Sequence, residues 1–349
     1  MRTINMLSSA DKVKGQGVGS AYLEQVRLIE ETLPGDFRVC RNKPKLCDIM
    51  HYHTIDLPFL LSVPMAKLHG CSTVGYVHFL PETVDTSLRL PWLAKQVFYA
   101  YMIHYYKSMD ALVTVNPWFI HKLADYGIPK ERVTYIPNFV SNETFYPRSA
   151  AEKNALRDQY GIDRDVFTVL AVGQWQVRKG FFDFIRTAER LPDVQFVWAG
   201  GFSFGVITDG YDEIKRVVKN PPPNVKFLGI VPREEMNDVY NLADVMFLPS
   251  FDELFPMTVL ESMSCGVPIL LRDLELYEDI LFDYYLKGSS VDEFVSHLRR
   301  LRDDPAFYRE AKEKSGEGAK FYSREHVATM WKSFYNGLTV HRLRILKHS

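Results

Sequence analysis

Phe167-Thr168-Val169-Leu170-Ala171-Val172-Gly173 is a short run of apolar and β-branched residues that closes on a glycine. It is too short for an ordinary helix and suits a strand covered on both faces, with the glycine opening a turn. Similar runs follow at Gln195-Phe196-Val197-Trp198-Ala199, Val225-Lys226-Phe227-Leu228, Val245-Met246-Phe247-Leu248 and Pro268-Ile269-Leu270-Leu271, with longer amphipathic stretches between them. Strands that alternate with helices in this way specify a parallel α/β architecture.

The first part of the chain repeats the pattern, with strands expected near 3–8, 37–40, 48–52, 73–78, 111–115 and 132–136. After Ile136-Pro137-Asn138 comes a polar connector, Ser141-Asn142-Glu143-Thr144-Phe145-Tyr146-Pro147, which reads as a hinge. A chain of 349 residues exceeds what one core usually serves, and 46% hydrophobic residues can fill two. The expectation is two Rossmann-like doubly wound domains facing a cleft, one over 1–140 and one over 141–322. A helix in 323–349, basic at its end, is expected to return to the first domain. In such folds ligands lie where loops converge at the carboxyl ends of the strands.

The 42 Lys+Arg and 43 Asp+Glu nearly cancel, which disfavours nucleic acid as a partner. The small positive excess lies in the first 150 residues. Cys40, Cys47, Cys71 and Cys265 form no CxxC pair and read as reduced thiols, as expected of a cytoplasmic protein. No stretch reaches the ~18 apolar residues of a membrane span, and the apolar run at the N-terminus is too short for a secretion signal. Membrane contact is therefore expected to be peripheral.

Two carboxylates stand eight positions apart in Glu253-Leu254-Phe255-Pro256-Met257-Thr258-Val259-Leu260-Glu261. On one continuous helix they would point about 80° apart and lie about 12 Å from each other. Pro256 favours another layout, because proline is at home in the first turn of a helix. Glu253 then sits in the preceding loop and Glu261 on the helix body, two acceptors at different heights for one polyhydroxylated ligand. The plainer reading is an exposed helix-start pair. Paired acids also suit the acid and base of a glycoside hydrolase.

Arg178 and Lys179 lie between a strand ending near Gly173 and a helix starting near Gly180. Cations and helix-start N–H groups there can neutralise a diphosphate, although a solvated pair would look the same. Gly15-Gln16-Gly17-Val18-Gly19 can likewise bring backbone close to a phosphate or simply form a tight turn. His78 closes the strand Thr73-Val74-Gly75-Tyr76-Val77 and is either a cleft residue or a capped one. His51 and His53 flank Tyr52 and point to one side of a strand. One of them could line an acceptor site, and a metal pair is disfavoured because no third ligand is visible.

With this order of elements, the E-x7-E segment resembles the retaining GT-B glycosyltransferases that use nucleotide sugars. The resemblance covers nearly the whole chain: the glycine-rich first loop, Tyr126-Gly127-Ile128-Pro129 with Val133-Thr134-Tyr135-Ile136-Pro137-Asn138, Val172-Gly173 through Lys179-Gly180, and Glu253 to Pro268. The stretches Leu7 to Ser20 and Gly173 to Gly180 look closer still to the Gram-positive enzymes that add a second hexose to monoglucosyl-diacylglycerol, the glycolipid anchor of lipoteichoic acid.

The resemblance implies a UDP-hexose donor, glucose or galactose, and metal-independent transfer with retention. It implies that Glu261 accepts from the ribose hydroxyls, that Glu253 holds donor-sugar hydroxyls, and that His78 meets the sugar near the reacting carbon. Phe255, Met257 and Thr258 would offer backbone N–H groups, with Pro256 shaping the turn. Gly17, Gly19, Gly173 and Gln174 complete the implied donor site with Arg178 and Lys179. The family usually has Arg where this chain has Gln174, so Arg178 is the candidate to replace it. A soluble or polyprenyl-linked acceptor, or a non-catalytic sugar-nucleotide binder, remains open as an alternative.

The segment 88–107 is rich in Trp, Tyr and Phe and edged by Arg89, Lys95 and Lys107. Such a helix suits an anionic lipid interface at the inner face of the cell membrane, with an aromatic face turned into the core as the alternative.

Overall fold

The computed structural model describes residues 1–9, 17–85, 91–202, 209–253, 255 and 257–338, with the backbone alone at 17–21, 84 and 85. Two compact units emerge: Met1–Asn138 together with the segment that begins at Arg324, and Phe139–Ser323. The first unit is built on β1 (Arg2–Leu7), β2 (Phe37–Arg41), β3 (Ile49–Tyr52), β4 (Ser72–Val77), β5 (Ala111–Thr114) and β6 (Val133–Tyr135). They form one sheet in the order β2-β1-β3-β4-β5-β6, and every pairing is parallel. Every residue of β3 and β4 is buried, as expected where helices cover both faces of a parallel sheet. One of these helices is the last described element, Arg324–Gly337, whose Trp331 and Tyr335 pack on His51 of β3.

The second unit carries β7 (Thr168–Val172), β8 (Gln195–Ala199), β9 (Val225–Gly229), β10 (Val245–Leu248), β11 (Ile269–Arg272) and β12 (Leu286–Gly288). Their order is β12-β11-β10-β7-β8-β9, again with parallel pairings. Side chains alternate across the sheet, so Val169 and Ala171 join Phe184, Phe196 and Trp198 in one core layer. Leu170 and Val172 join Val197, Met246 and Leu248 in the other. The order reverses at β7 and β10, which puts the loops after these two strands side by side at a topological switch point.

Three details differ from the sequence reading. β12 was not anticipated, because Leu286-Lys287-Gly288 holds a single large apolar residue and lies at a sheet edge. The connector 141–147, read as a hinge at the start of the second domain, is packed onto that unit: Phe145 is buried in its core, and the Tyr146 N–H donates to Asn237 Oδ1 at 2.9 Å. Gly17 and Gly19 lie in the first turn of the helix Gly17–Thr32 and not in a loop before it, while Gly15 and Gln16 fall outside the described residues.

Candidate active site

Two glycines set the loops after β7 and β8 against each other. Gly173, at φ 150°, donates its N–H to Ala199 O at 3.0 Å, and Trp198 Nε1 donates to Gly173 O at 2.9 Å. A Cβ on Gly200 would stand 1.8 Å from Gly173 O, so only glycine allows this approach. The β7 loop is pressed as closely against the β10 loop. Gly180 is left-handed, and a Cβ there would stand 2.1 Å from Pro249 O. Arg178 O, just before it, accepts from the Phe251 N–H at 2.7 Å and from Ser250 Oγ at 3.1 Å.

These contacts deliver Glu253 to Lys179. Glu253 sits in the loop before the helix Met257–Ser264, and its Oε1 lies 2.6 Å from Lys179 Nζ. Both side chains are largely buried. Glu261 is on the helix body, 2% exposed, where Oε2 accepts from the Tyr240 hydroxyl at 2.6 Å and Oε1 meets the Arg233 guanidinium. Burial and the neighbouring Glu261 charge raise the Tyr240 pKa far above its ordinary value, so this hydroxyl stays a donor. The two carboxylates therefore differ in partner: an enclosed ammonium for Glu253, and a buried phenol with a largely exposed guanidinium for Glu261.

The other candidates spread around this pair. Gln174 Oε1 accepts from Gln176 Nε2 at 2.9 Å. The Arg178 side chain is exposed and reaches Asp252 O at 3.4 Å. Adjacent in sequence, Arg178 and Lys179 thus do different things: one braces a loop with its carbonyl, the other carries its charge to Glu253. Phe255 packs at the edge of the core near Tyr322, and Met257 and Thr258 open the helix. Pro256 lies outside the described residues.

His78, in the first unit, follows β4 and stacks on Tyr76 with ring centroids 4.3 Å apart. Burial pushes its pKa down to about 4, and its buried Nε2 has no hydrogen-bond partner among the described residues. His51 and His53 do point to one side of β3, but neither lines an acceptor surface. Both are fully buried, His51 Nδ1 lying 2.8 Å from the Tyr335 hydroxyl and His53 Nε2 3.3 Å from Met6 Sδ. The helix Arg324–Gly337 covers the face to which their side chains point. Among the described residues no group of three or more His, Cys, Asp or Glu gathers as a metal site, and the four cysteines are free thiols.

Comparison with known proteins places these features. Residues 152–320 match the family described as Glycosyl transferases group 1, and residues 38–144 match Glycosyltransferase Family 4. The alpha-galactosylglucosyldiacylglycerol synthase of Streptococcus pneumoniae is 46% identical over 332 residues, covering 95% of this chain and 88% of that one. The chain belongs to the GT-B glycosyltransferases. The processive diacylglycerol alpha-glucosyltransferase of Acholeplasma laidlawii is 25% identical to the transferase over 306 residues, 86% of this chain and 88% of that one. Anabaena Alr3699/HepE in complex with UDP shares the fold at a TM-score of 0.74 and 15% identity, covering 97% of this chain and all of that one.

Sequence reading of the transferase missed the partners of Glu261. Arg233 and Tyr240 belong to a 3₁₀ turn and a short helix whose spacing carries no sign of a site. It also missed Asp183 and Arg272, a buried ion pair behind the β10 loop. An arginine closing an otherwise apolar strand, in Ile269-Leu270-Leu271-Arg272, was the one available signal.

Proposed function

We propose that this transferase moves glucose or galactose from a UDP-hexose to monoglucosyl-diacylglycerol, with retention, and so makes a diglycosyl-diacylglycerol that can anchor lipoteichoic acid. The observation that carries this reading is the 46% identity to the pneumococcal synthase along 95% of the chain, together with the Lys179–Glu253 pair at the switch point of the second sheet.

Glu261 accepts hydrogen bonds from the ribose hydroxyls, since an ionised carboxylate offers only lone pairs. Arg233, on the solvent side of Glu261, gives way to the ribose or shares the carboxylate with it, while Tyr240 holds the other oxygen. Lys179 opposes the charge on the diphosphate, and Arg178 adds to the positive potential from the surface. Gly173 and Gln174, with the backbone N–H groups of Phe255, Met257 and Thr258, border the sugar and phosphates. Glu253 turns its other oxygen, Oε2, to the hydroxyls of the donor hexose. His78, held neutral, meets the sugar near its anomeric carbon, and Gly17 and Gly19 let the backbone approach the ligand.

In the transfer step the bond from the anomeric carbon to the β-phosphate oxygen breaks and a bond to the acceptor hydroxyl oxygen forms on the same face. The acceptor proton passes to the leaving phosphate oxygen. The protein mainly stabilises the growing diphosphate charge, which for one well-placed donor contributes ~3–4 kcal/mol. Lys179 and the helix start supply that charge without a divalent metal.

The acceptor is a lipid, so a surface for the bilayer is part of the proposal. No helix among the described residues is long and apolar enough to cross a membrane. In the helix Trp92–Ser108, Met102, Tyr105 and Tyr106 are buried in the core while Trp92, Leu93 and Val97 are exposed. The helix packs against Leu57–Leu68, whose Leu57, Leu61, Met65 and Leu68 form a second exposed stripe at helical spacing. Two exposed apolar stripes on helices that pack together, with Lys95 on one of them, suit the interface of an anionic membrane, on the inner face of the cell membrane in this reading.

The deciding experiment incubates the protein with radiolabelled UDP-glucose or UDP-galactose and anionic vesicles, with and without monoglucosyl-diacylglycerol. A diglycosyl lipid that depends on the acceptor is the expected product. Its absence with both donors would overturn the reading, and transfer only to a soluble or polyprenyl-linked sugar would replace the acceptor.

A further inference from the structure

Arg272 closes β11, is 8% exposed, and spends its guanidinium on three different elements. Nε donates to Pro249 O at 3.0 Å, Nη1 donates to Ser289 O at 3.0 Å, and Nη2 pairs with Asp183. The guanidinium also lies over the Phe251 ring, 3.8 Å from its centroid, with Phe294 at 5.4 Å. Arginine can do this because its donors form a rigid planar fork that also stacks on rings; the point charge of lysine cannot reproduce it.

Two of these contacts fall on the four residues, Pro249 to Asp252, that lead from β10 to Glu253. Pro249 O accepts from Arg272 and is also closely approached by Gly180. Phe251 is half exposed, yet its ring rests on a buried cation and its N–H is bound to Arg178 O. A loop that only had to close the fold would not need its exposed aromatic ring seated on a buried arginine. Asp183 comes from the helix Phe181–Glu189, directly after Gly180, so the ion pair also joins the β7 loop to this anchor. A buried charge is retained only where it is paired and hydrogen-bonded, and here each of the three guanidinium nitrogens has a partner.

We propose that Arg272, with Asp183, is a positioning residue of the donor site: it fixes the Pro249–Phe251 turn and so sets where Glu253 stands beside Lys179. This rests on the assignment of Glu253 to the donor hexose given above. Nothing from Arg272 reaches Glu261 or Tyr240, so its effect falls on the sugar end of the donor and spares the ribose end.

Isothermal titration of UDP and of UDP-hexose into wild type, Arg272→Lys, Asp183→Asn and Phe251→Leu tests this, alongside donor and acceptor KM, kcat and the melting temperature of each. For Arg272→Lys the expected result is UDP affinity within a few-fold of wild type and UDP-hexose affinity about tenfold weaker, the equivalent of about 1.4 kcal/mol. Donor KM rises in step while acceptor KM holds. Phe251→Leu, which leaves the ion pair intact, shifts the same ratio in the same direction by less. Equal loss of both ligands, or an unchanged ratio in Arg272→Lys and Phe251→Leu, would show a structural role only and overturn the proposal. A wild-type protein that binds UDP but gains nothing from the hexose would instead overturn the assignment of Glu253, and the positioning role with it.

Discussion

Lys179 and Glu253, 74 positions apart in the chain, meet at 2.6 Å between the loops that follow β7 and β10. Each side chain is largely screened from water, so each depends on the other for charge balance. Removing one leaves an uncompensated buried charge, which commonly costs 3–5 kcal/mol where burial is complete and less here. Lys179→Met is therefore expected to lose stability as well as activity, whereas Glu253→Gln, which still offers Lys179 a hydrogen-bond acceptor, should lose less stability. Hexose transfer by Glu253→Gln should fall about 10- to 100-fold, on the scale of losing one charge-assisted hydrogen bond to the donor hexose. Near-normal turnover in this variant would remove Glu253 from the donor site.

Tyr240→Phe deletes the hydroxyl that satisfies Glu261 Oε2 and leaves that oxygen buried. The expected cost is about 1–3 kcal/mol in urea unfolding, with a weaker Kd for UDP. Arg233→Ala acts from the solvent side and should change UDP affinity with little effect on stability. Opposite behaviour of the two variants would reverse the roles given to them.

Acid should destabilise the first unit. Burial pushes His51 down to about 3 and His78 down to about 4, and His53 is lowered by burial and by its neighbour His51. The unfolded chain thus binds protons that the folded one refuses, and stability present above pH 6.5 drains away as pH falls toward these values. At one pH unit below the ordinary histidine value each imidazole costs about 1.4 kcal/mol. Urea midpoints at pH 7.5 and 5.5 measure this. Wild type should show the drop, and a His51→Gln, His53→Gln double variant should show less of it.

Membrane binding should depend on both exposed stripes. Val97→Glu and Leu61→Glu are each expected to weaken flotation with anionic vesicles, and together to abolish it, because each places a charge where apolar surface meets lipid. Raising salt should weaken the wild-type interaction by screening its lysines. Vesicle binding that is unchanged in the double variant would rule this face out.

Transfer in excess EDTA should match transfer in its absence. A full loss, restored by a divalent cation, would mean that Lys179 is not the principal counter-charge to the diphosphate.

Much of the fold was legible because strand burial leaves a period and a boundary in one dimension. Phe196-Val197-Trp198 reads as a covered strand wherever it is placed, and glycine after β7 reads as a turn. Leu286-Lys287-Gly288 was invisible because an edge strand needs little apolar surface of its own. The site was legible as residue types near loop positions and less so as contacts. Pro256 before an apolar helix separates Glu253 from Glu261 by local backbone rules alone, and the structure has that layout. His51 and His53 show the limit: alternation gave their shared side of β3, but nothing local announced that Trp331 and Tyr335 would bury it.

Taken alone, the sequence determined the two parallel sheets, the loop-then-helix setting of the carboxylate pair and the family to which the chain belongs. These follow from period, turn residues and short motifs, which act over a few positions. Only the tertiary structure decided that Glu253 takes Lys179 and Glu261 takes Tyr240 and Arg233, or that Arg272 anchors the loop between β10 and Glu253. Those choices depend on which strand ends become neighbours across the sheet and on how closely Gly180 and Gly200 let the backbones approach. A contact that spans 74 or 89 positions has no local signature, because it is set by sheet order and side-chain direction together.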